Sequence, residues 1–241
     1  MKTKVALMCL GLVSAGFCVD EYLPIAPSTL EVDVGVNPVF PEVGDMSFGI
    51  PLQIKYGIMP GLDVEVATNY TASGAATGLV QPDIAAKYSI GSTGFAAYLD
   101  VVLPFSTGDF DVAGAGLGIA PGIVYGKNFD KIQAVAKASY LLNMEKDGLT
   151  NGNVLDVFLK PGYMVDDKLA GYVGVDFKMT GKPDPAGPGA VDGNTITLLP
   201  GATYTVSPSI ALEANVPIVL SNDLGGTSWG VWASVYYTMP L

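Results

Sequence analysis

The side chains able to do chemistry in this chain recur two residues apart. Glu31 and Asp33, Asp63 and Glu65, and Asp176 and Lys178 each share that spacing. A carboxylate pair such as Asp63 and Glu65 has the makings of a general acid and base. The same spacing arises on any β-strand with one polar face, because successive side chains alternate between faces. The strand explanation outweighs the catalytic one. The 241 residues contain no His, which removes Ser-His-Asp and Cys-His nucleophiles and most zinc sites. Asp109 and Asp111 share one polar stretch, but two carboxylates are too few for a calcium ligand set. The chain is therefore expected to be no enzyme and to carry no cofactor or metal.

The elements that position these residues are strands. Phe95, Ala97, Leu99, Val101, Leu103 and Phe105 alternate with Ala96, Tyr98, Asp100 and Val102. Leu117, Ile119, Pro121, Ile123 and Tyr125 alternate with small residues or Val124 beyond a Gly-containing reversal. Period two with one apolar face is a strand signal. About ten residues is the length a tilted strand needs to cross a bilayer. Twelve such segments are expected: 29–36, 46–58, 62–70, 79–90, the two arms of 95–126, 132–142, 154–165, 169–180, 195–206, 210–220 and 228–239. Tight connections follow the even-numbered segments, as at Met59-Pro60-Gly61, Lys127 to Lys131 and Asp166-Asp167-Lys168. Longer ones follow the odd-numbered segments, the longest from Gly181 to Asn194. Short turns at one end and long loops at the other are the layout of an antiparallel up-and-down transmembrane β-barrel. An even strand count places both termini at the short-turn end, which would be periplasmic.

Composition agrees with a barrel. The chain is 49% hydrophobic and 15% charged, with a positive mean hydropathy. Beyond the leader it has no apolar run of helix-spanning length. Its net charge is −11 and its basic residues are all Lys, so no basic patch for nucleic acid is expected. Residues 1–18 read as a secretory signal peptide, with Lys2 and Lys4 before the apolar Val5 to Val13. Cleavage after Gly16 or Cys18 fits this leader; either cut removes both lysines and takes the net charge to −13, and the cut after Cys18 leaves no thiol. Residues 19–27 read as a periplasmic tail and 28–241 as the barrel. The expected location is the bacterial outer membrane, with its lipid and small-molecule solutes as partners. The sequence leaves the oligomeric state open.

Alternation assigns the two faces. Inward, as pore lining, fall Glu31, Asp33, Lys55, Asp63, Glu65, Asp83, Lys87, Asp100, Lys137, Asp156, Lys160, Asp176, Lys178 and Glu213. They hold nine carboxylates and five lysines, a surplus of four negative charges. Counting back from tight turns sets Lys55 opposite Glu65 and Asp156 opposite Lys178. A polar lining that selects solutes and a set of ion pairs plugging a small barrel are equally compatible with this pattern. Outward, at matched positions near the tight turns, fall Tyr56, Tyr88, Tyr125, Tyr163, Tyr204 and Tyr237, an aromatic girdle at the headgroup level. Pro51, Pro82, Pro104, Pro121, Pro161, Pro200 and Pro217 fall inside expected strands and call for bulges or strand ends. The long loops carry only isolated aromatics, Phe40 and Phe110, which favours transport over adhesion.

Several stretches resemble one family. They are Asp83-Ile-Ala-Ala-Lys87-Tyr88, Leu103-Pro-Phe-Ser-Thr-Gly-Asp109, Gly116-Leu-Gly-Ile-Ala-Pro-Gly-Ile-Val-Tyr125, and Leu199-Pro-Gly-Ala-Thr-Tyr204 through Val216-Pro217. The sequence is similar there to the outer-membrane β-barrel family of the meta-pathway of phenol degradation, whose members are described as transporters. The resemblance implies a barrel that passes small solutes, apolar or aromatic ones among them. The alternative is a structural or surface-binding barrel with a plugged lumen.

Overall fold

Alternation of apolar and polar residues gives each segment one face for lipid and one for the interior, and a sheet of such segments has no stable edge until it closes. The computed structural model describes residues 25–42, 44–74, 76–110, 116–182, 192–222 and 226–241. The strands are β1 (Thr29–Pro41), β2 (Ser47–Met59), β3 (Leu62–Ser73), β4 (Ala76–Leu79), β5 (Asp83–Ser89), β6 (Phe95–Val102), β7 (Gly118–Phe129) and β8 (Ile132–Asn143). They continue as β9 (Val154–Met164), β10 (Leu169–Thr180), β11 (Gly193–Ser207), β12 (Ile210–Asn215), β13 (Ile218–Asn222), β14 (Ser228–Gly230) and β15 (Trp232–Pro240). The pairs β4/β5, β12/β13 and β14/β15 are interrupted staves, so the strands make twelve staves in one antiparallel sheet. It closes where β1 pairs with β15, from Thr29 opposite Pro240 to Val36 opposite Ala233. The leader read over residues 1–18 lies outside the described residues.

The faces follow the parity of the sequence. In β2 every inward residue from Ser47 to Gly57 is buried, while Ile50, Leu52, Ile54 and Tyr56 are exposed to the outside. Of the six tyrosines expected to form a girdle, Tyr56, Tyr88, Tyr163, Tyr204 and Tyr237 are exposed on the outer face near the tight turns, and the half-buried Tyr125 packs its ring 4.8 Å from that of the exposed Phe95. A second set of outward aromatics, Tyr70, Tyr140 and Trp229, marks the loop ends. Phe40 belongs to this set. It is a strand residue stacked 4.5 Å from Trp229, which corrects its reading as an isolated loop aromatic. Phe110 is buried in a short 3-10 turn, Gly108–Phe110.

Some boundaries differ from the sequence reading. The segment 79–90 is broken at Val80–Pro82, 210–220 at Val216–Pro217 and 228–239 at Val231. Residues 103–105 leave the sheet, and β7 runs on to Phe129, so the turn expected at Lys127 to Lys131 shrinks to Asp130 and Lys131. Asp130 adopts the left-handed conformation there, at φ 56°. Pro82, Pro104 and Pro217 sit at strand ends, as expected.

Pro51, Pro121, Pro161 and Pro200 stay inside strands without bulges at the proline, as does Pro38. In an antiparallel ladder a residue's N–H and C=O both point to the same neighbour. A proline therefore opens the ladder on one side only. Around Pro51 the pairing with β1 skips from Val34–Leu52 to Asn37–Gly49, while the pairing with β3 is unbroken. Pro121 interrupts β7–β8 and not β6–β7. Pro161 interrupts β9–β10 and not β8–β9.

The loop after β6 lies along the free edge of β4. Thr107 N–H donates to the Leu79 carbonyl at 3.0 Å, and the side chains of Thr107 and Asp109 accept from the N–H groups of Leu79 and Thr77, both at 3.0 Å. Asp109 thus caps a strand edge.

Candidate functional site

A charge facing the inside of a narrow barrel loses water and needs a partner. All fourteen ionisable residues assigned to the lining lie on inward-facing positions of their strands. Nine are buried: Glu31, Asp33, Lys55, Asp63, Lys87, Lys160, Asp176, Lys178 and Glu213. Five are half-buried: Glu65, Asp83, Asp100, Lys137 and Asp156. The half-buried group comes from the staves of β3, β5, β6, β8 and β9, which lie on one side of the barrel.

The register sets Lys55 opposite Glu65 and Asp156 opposite Lys178. The ammonium groups also reach other partners. Lys55 Nζ donates to Glu31 Oε1 at 3.0 Å, and Lys178 Nζ lies 3.2 Å from Asp176 Oδ2 on its own strand. Lys87 Nζ is 3.5 Å from Asp63 Oδ2. Thr238 Oγ1 donates to the second oxygen of Glu31 at 3.3 Å, which ties this pair across the β1–β15 closure.

Glu213 gathers several partners. The hydroxyls of Tyr236 (2.6 Å) and Tyr172 donate to it, and Lys160 Nζ lies 3.6 Å away. The same ammonium sits 4.0 Å from the centre of the Tyr172 ring, a cation–π contact. Tyr172 on β10 reaches Glu213 on β12 by lying across β11 at Gly201. A Cβ at Gly201 would stand 2.5 Å from both Tyr172 Cζ and its hydroxyl oxygen. Tyr98 on β6 repeats the arrangement. It lies over Gly122 of β7, where a Cβ would be 2.3 Å from its Cε1, and its ring centre is 5.3 Å from Lys137 Nζ on β8. Tyr98 packs against the buried pair Val124 and Val135.

These inward aromatics were not among the residues chosen from the sequence. The available signal was an inward-parity Tyr facing an inward-parity Gly. Both pairs, Tyr98–Gly122 and Tyr172–Gly201, span a long-loop hairpin, where register cannot be counted from a tight turn. Among the described residues no group of three or more His, Cys, Asp or Glu is arranged to hold a metal ion.

A closed twelve-stave barrel with outward apolar bands, aromatic belts and a charged interior defines a transmembrane β-barrel of the outer-membrane kind. The chain belongs to the family described as "Putative MetA-pathway of phenol degradation", whose model matches residues 29–234. No curated protein matches it by sequence. Among solved structures it is similar to the COG4313 outer membrane channel from Pseudomonas putida F1, with 13% identity, a TM-score of 0.74, and coverage of 92% of this chain and 99% of that one. It is also similar to the NanC porin, with 10% identity, a TM-score of 0.61, and coverage of 86% and 98%. The CymD monoaromatic hydrocarbon channel matches with 11% identity, a TM-score of 0.50, and coverage of 90% and 89%. At these identities the likeness is one of fold.

Proposed function

We propose that this barrel lets small solutes, apolar and aromatic ones among them, cross the outer membrane passively, with a weak preference for cations over anions. The observation that carries the ionic part is the inward charge surplus of nine carboxylates over five lysines. Low-dielectric walls focus such a field and concentrate counter-ions. Partial pairing leaves a modest remainder, so the preference is weak. Its screening length is about 10 Å at 0.1 M salt, so it fades as salt rises. The apolar and aromatic part is supported by the family description and by the name of the CymD channel. The tight-turn end is taken as periplasmic, by the general layout of such barrels.

The second reading, a plugged structural barrel, is favoured by one observation: nine of the fourteen inward charges are buried. Reversal potential across a planar bilayer under a KCl gradient separates the two. A potential of the sign for cation preference, shrinking at high salt, supports the channel. Anion preference at low salt overturns the lining assignment. Absence of conductance favours the plug.

A further inference from the structure

The inward surface is not equally covered all round. On β1, β2 and β15 the inward residues are sealed, with Asp33 and Lys55 at 2% exposure and Ser234 at 4%. On β5, β6 and β8 the cover is partial: Ala85, Asp100 and Lys137 are half-exposed, while Lys87, Ala96 and Val135 on the same inward faces are buried. The partly open positions of β5, β6 and β8 are where the interior is less tightly covered than at β1, β2 and β15. One bulky side chain on that wall lies across the neighbouring strand at a position with no side chain of its own. It is Tyr98, whose ring covers the inward face of Gly122. Its counterpart Tyr172 is held differently, with its hydroxyl on Glu213 and its ring under Lys160. Tyr172, itself half-buried, is thereby tied to the buried Glu213, which Tyr236 also contacts.

We infer that solute passage is off-axis, along the inward faces of β5 to β8, and that Tyr98 sets its size limit. The inference rests on the channel reading and adds to it a route and a determinant. The ring projects from β6 over β7, is braced by Val124 and Val135, and has the Lys137 ammonium on its face. A braced ring is a fixed obstruction, and pore radius and pore-lining groups govern what a channel conducts. The class of solute that clears it is small hydrated cations and neutral molecules of small cross-section.

Single-channel conductance and liposome swelling with neutral sugars of increasing size, on the full barrel in lipid, test the obstruction. Tyr98→Ala is expected to raise conductance by about twofold and to admit larger sugars, while Tyr98→Phe keeps the parent's size limit. An unchanged conductance and size limit in Tyr98→Ala overturns the role of Tyr98. Thiol labelling tests the route without relying on conductance. In a background with Cys9 and Cys18 changed to Ser, a water-soluble methanethiosulfonate should label Ala85→Cys quickly and Ser234→Cys slowly. Equal labelling overturns the off-axis route. A parent that conducts nothing beside a Tyr98→Ala that conducts would refute the open-channel reading and support the obstruction. Silence in both would overturn the two together.

Discussion

Gly201→Ala is the sharpest probe of how the interior is held. An added methyl carbon would stand 2.5 Å from Tyr172 Cζ and 2.6 Å from Asn215 Cβ. The Asn215 contact is close to backbone and yields little, so the tyrosine must lift. Forcing one carbon into such a packed site costs about 1–3 kcal/mol. Lifting Tyr172 also removes its hydroxyl from Glu213, and a hydrogen bond to a charged group is worth about 1.5–3 kcal/mol. The two costs overlap, because moving the ring is what relieves the clash. A net loss of about 3 kcal/mol is expected. Gly171→Ala is the matched control. It lies on the neighbouring strand, faces outward, and its added carbon would stand 4.0 Å from the Gly201 carbonyl oxygen. Replacing that strand glycine should be neutral or gain about 0.5–1 kcal/mol. The assay is urea unfolding of the refolded barrel in detergent, followed by the gel-mobility difference between folded and unfolded forms. In a double-mutant cycle, Tyr172→Ala should recover part of the Gly201→Ala loss, with a coupling of about 1–2 kcal/mol. Equal effects at Gly201 and Gly171, or no coupling, would refute the account of Tyr172 crossing β11.

Other variants test the remaining contacts. Leu99 faces lipid and is 47% exposed; Leu99→Lys should destabilise the barrel in lipid by about 2–4 kcal/mol, while Asp100→Asn on the inward face stays mild, and equal small effects would invert the assignment of faces. In the turn between β9 and β10, the N–H groups of Lys168 and Leu169 donate to Asp166 Oδ1 at 2.8 and 2.9 Å and hold its carboxyl below the usual carboxylate range. A depressed folded value means its stabilisation is complete above the unfolded value of about 3.9 and is lost as pH falls through the folded one. Asp166→Ala should therefore flatten the acid slope of stability below that point, and an unchanged slope would exclude the effect. Asp109→Ala removes the acceptor for the Thr77 N–H; at an exposed site the cost is about 1 kcal/mol or less, and faster limited proteolysis within residues 103–110 is the expected sign.

The sequence made the barrel legible because parity is a local property. Whether Lys55 or Ile54 faces inward depends only on its own strand, and the inward placement of all fourteen charges followed from that. Register across a tight turn was also legible, since few residues separate Lys55 from Glu65. Register across long loops was not, and the two Tyr–Gly crossings were lost with it. Contacts that skip staves were beyond reach for a further reason. Lys160 on β9 meets Glu213 on β12 across two intervening staves, beside the Tyr172 ring that lies over Gly201. The strand prolines were read as needing bulges or strand ends, which holds for Pro82, Pro104 and Pro217; the others escape it because the rule against strand proline treats both sides of a strand alike. In an antiparallel sheet only one side loses a bond.

The position of the Glu31–Lys55–Thr238 contact bears on assembly. These groups join β1, β2 and β15, the first, second and last staves of the chain, directly at the closure. A half-formed sheet lying in hydrocarbon would present Glu31, Asp33 and Lys55 to lipid along an unpaired edge, and neither bare backbone nor bare charge is tolerated there. The last stave to be made is the partner that the first one needs before it can leave water. Insertion and closure must then proceed as one event, so a chain cut short before Trp232 should remain outside the bilayer and not enter it as a smaller, open barrel.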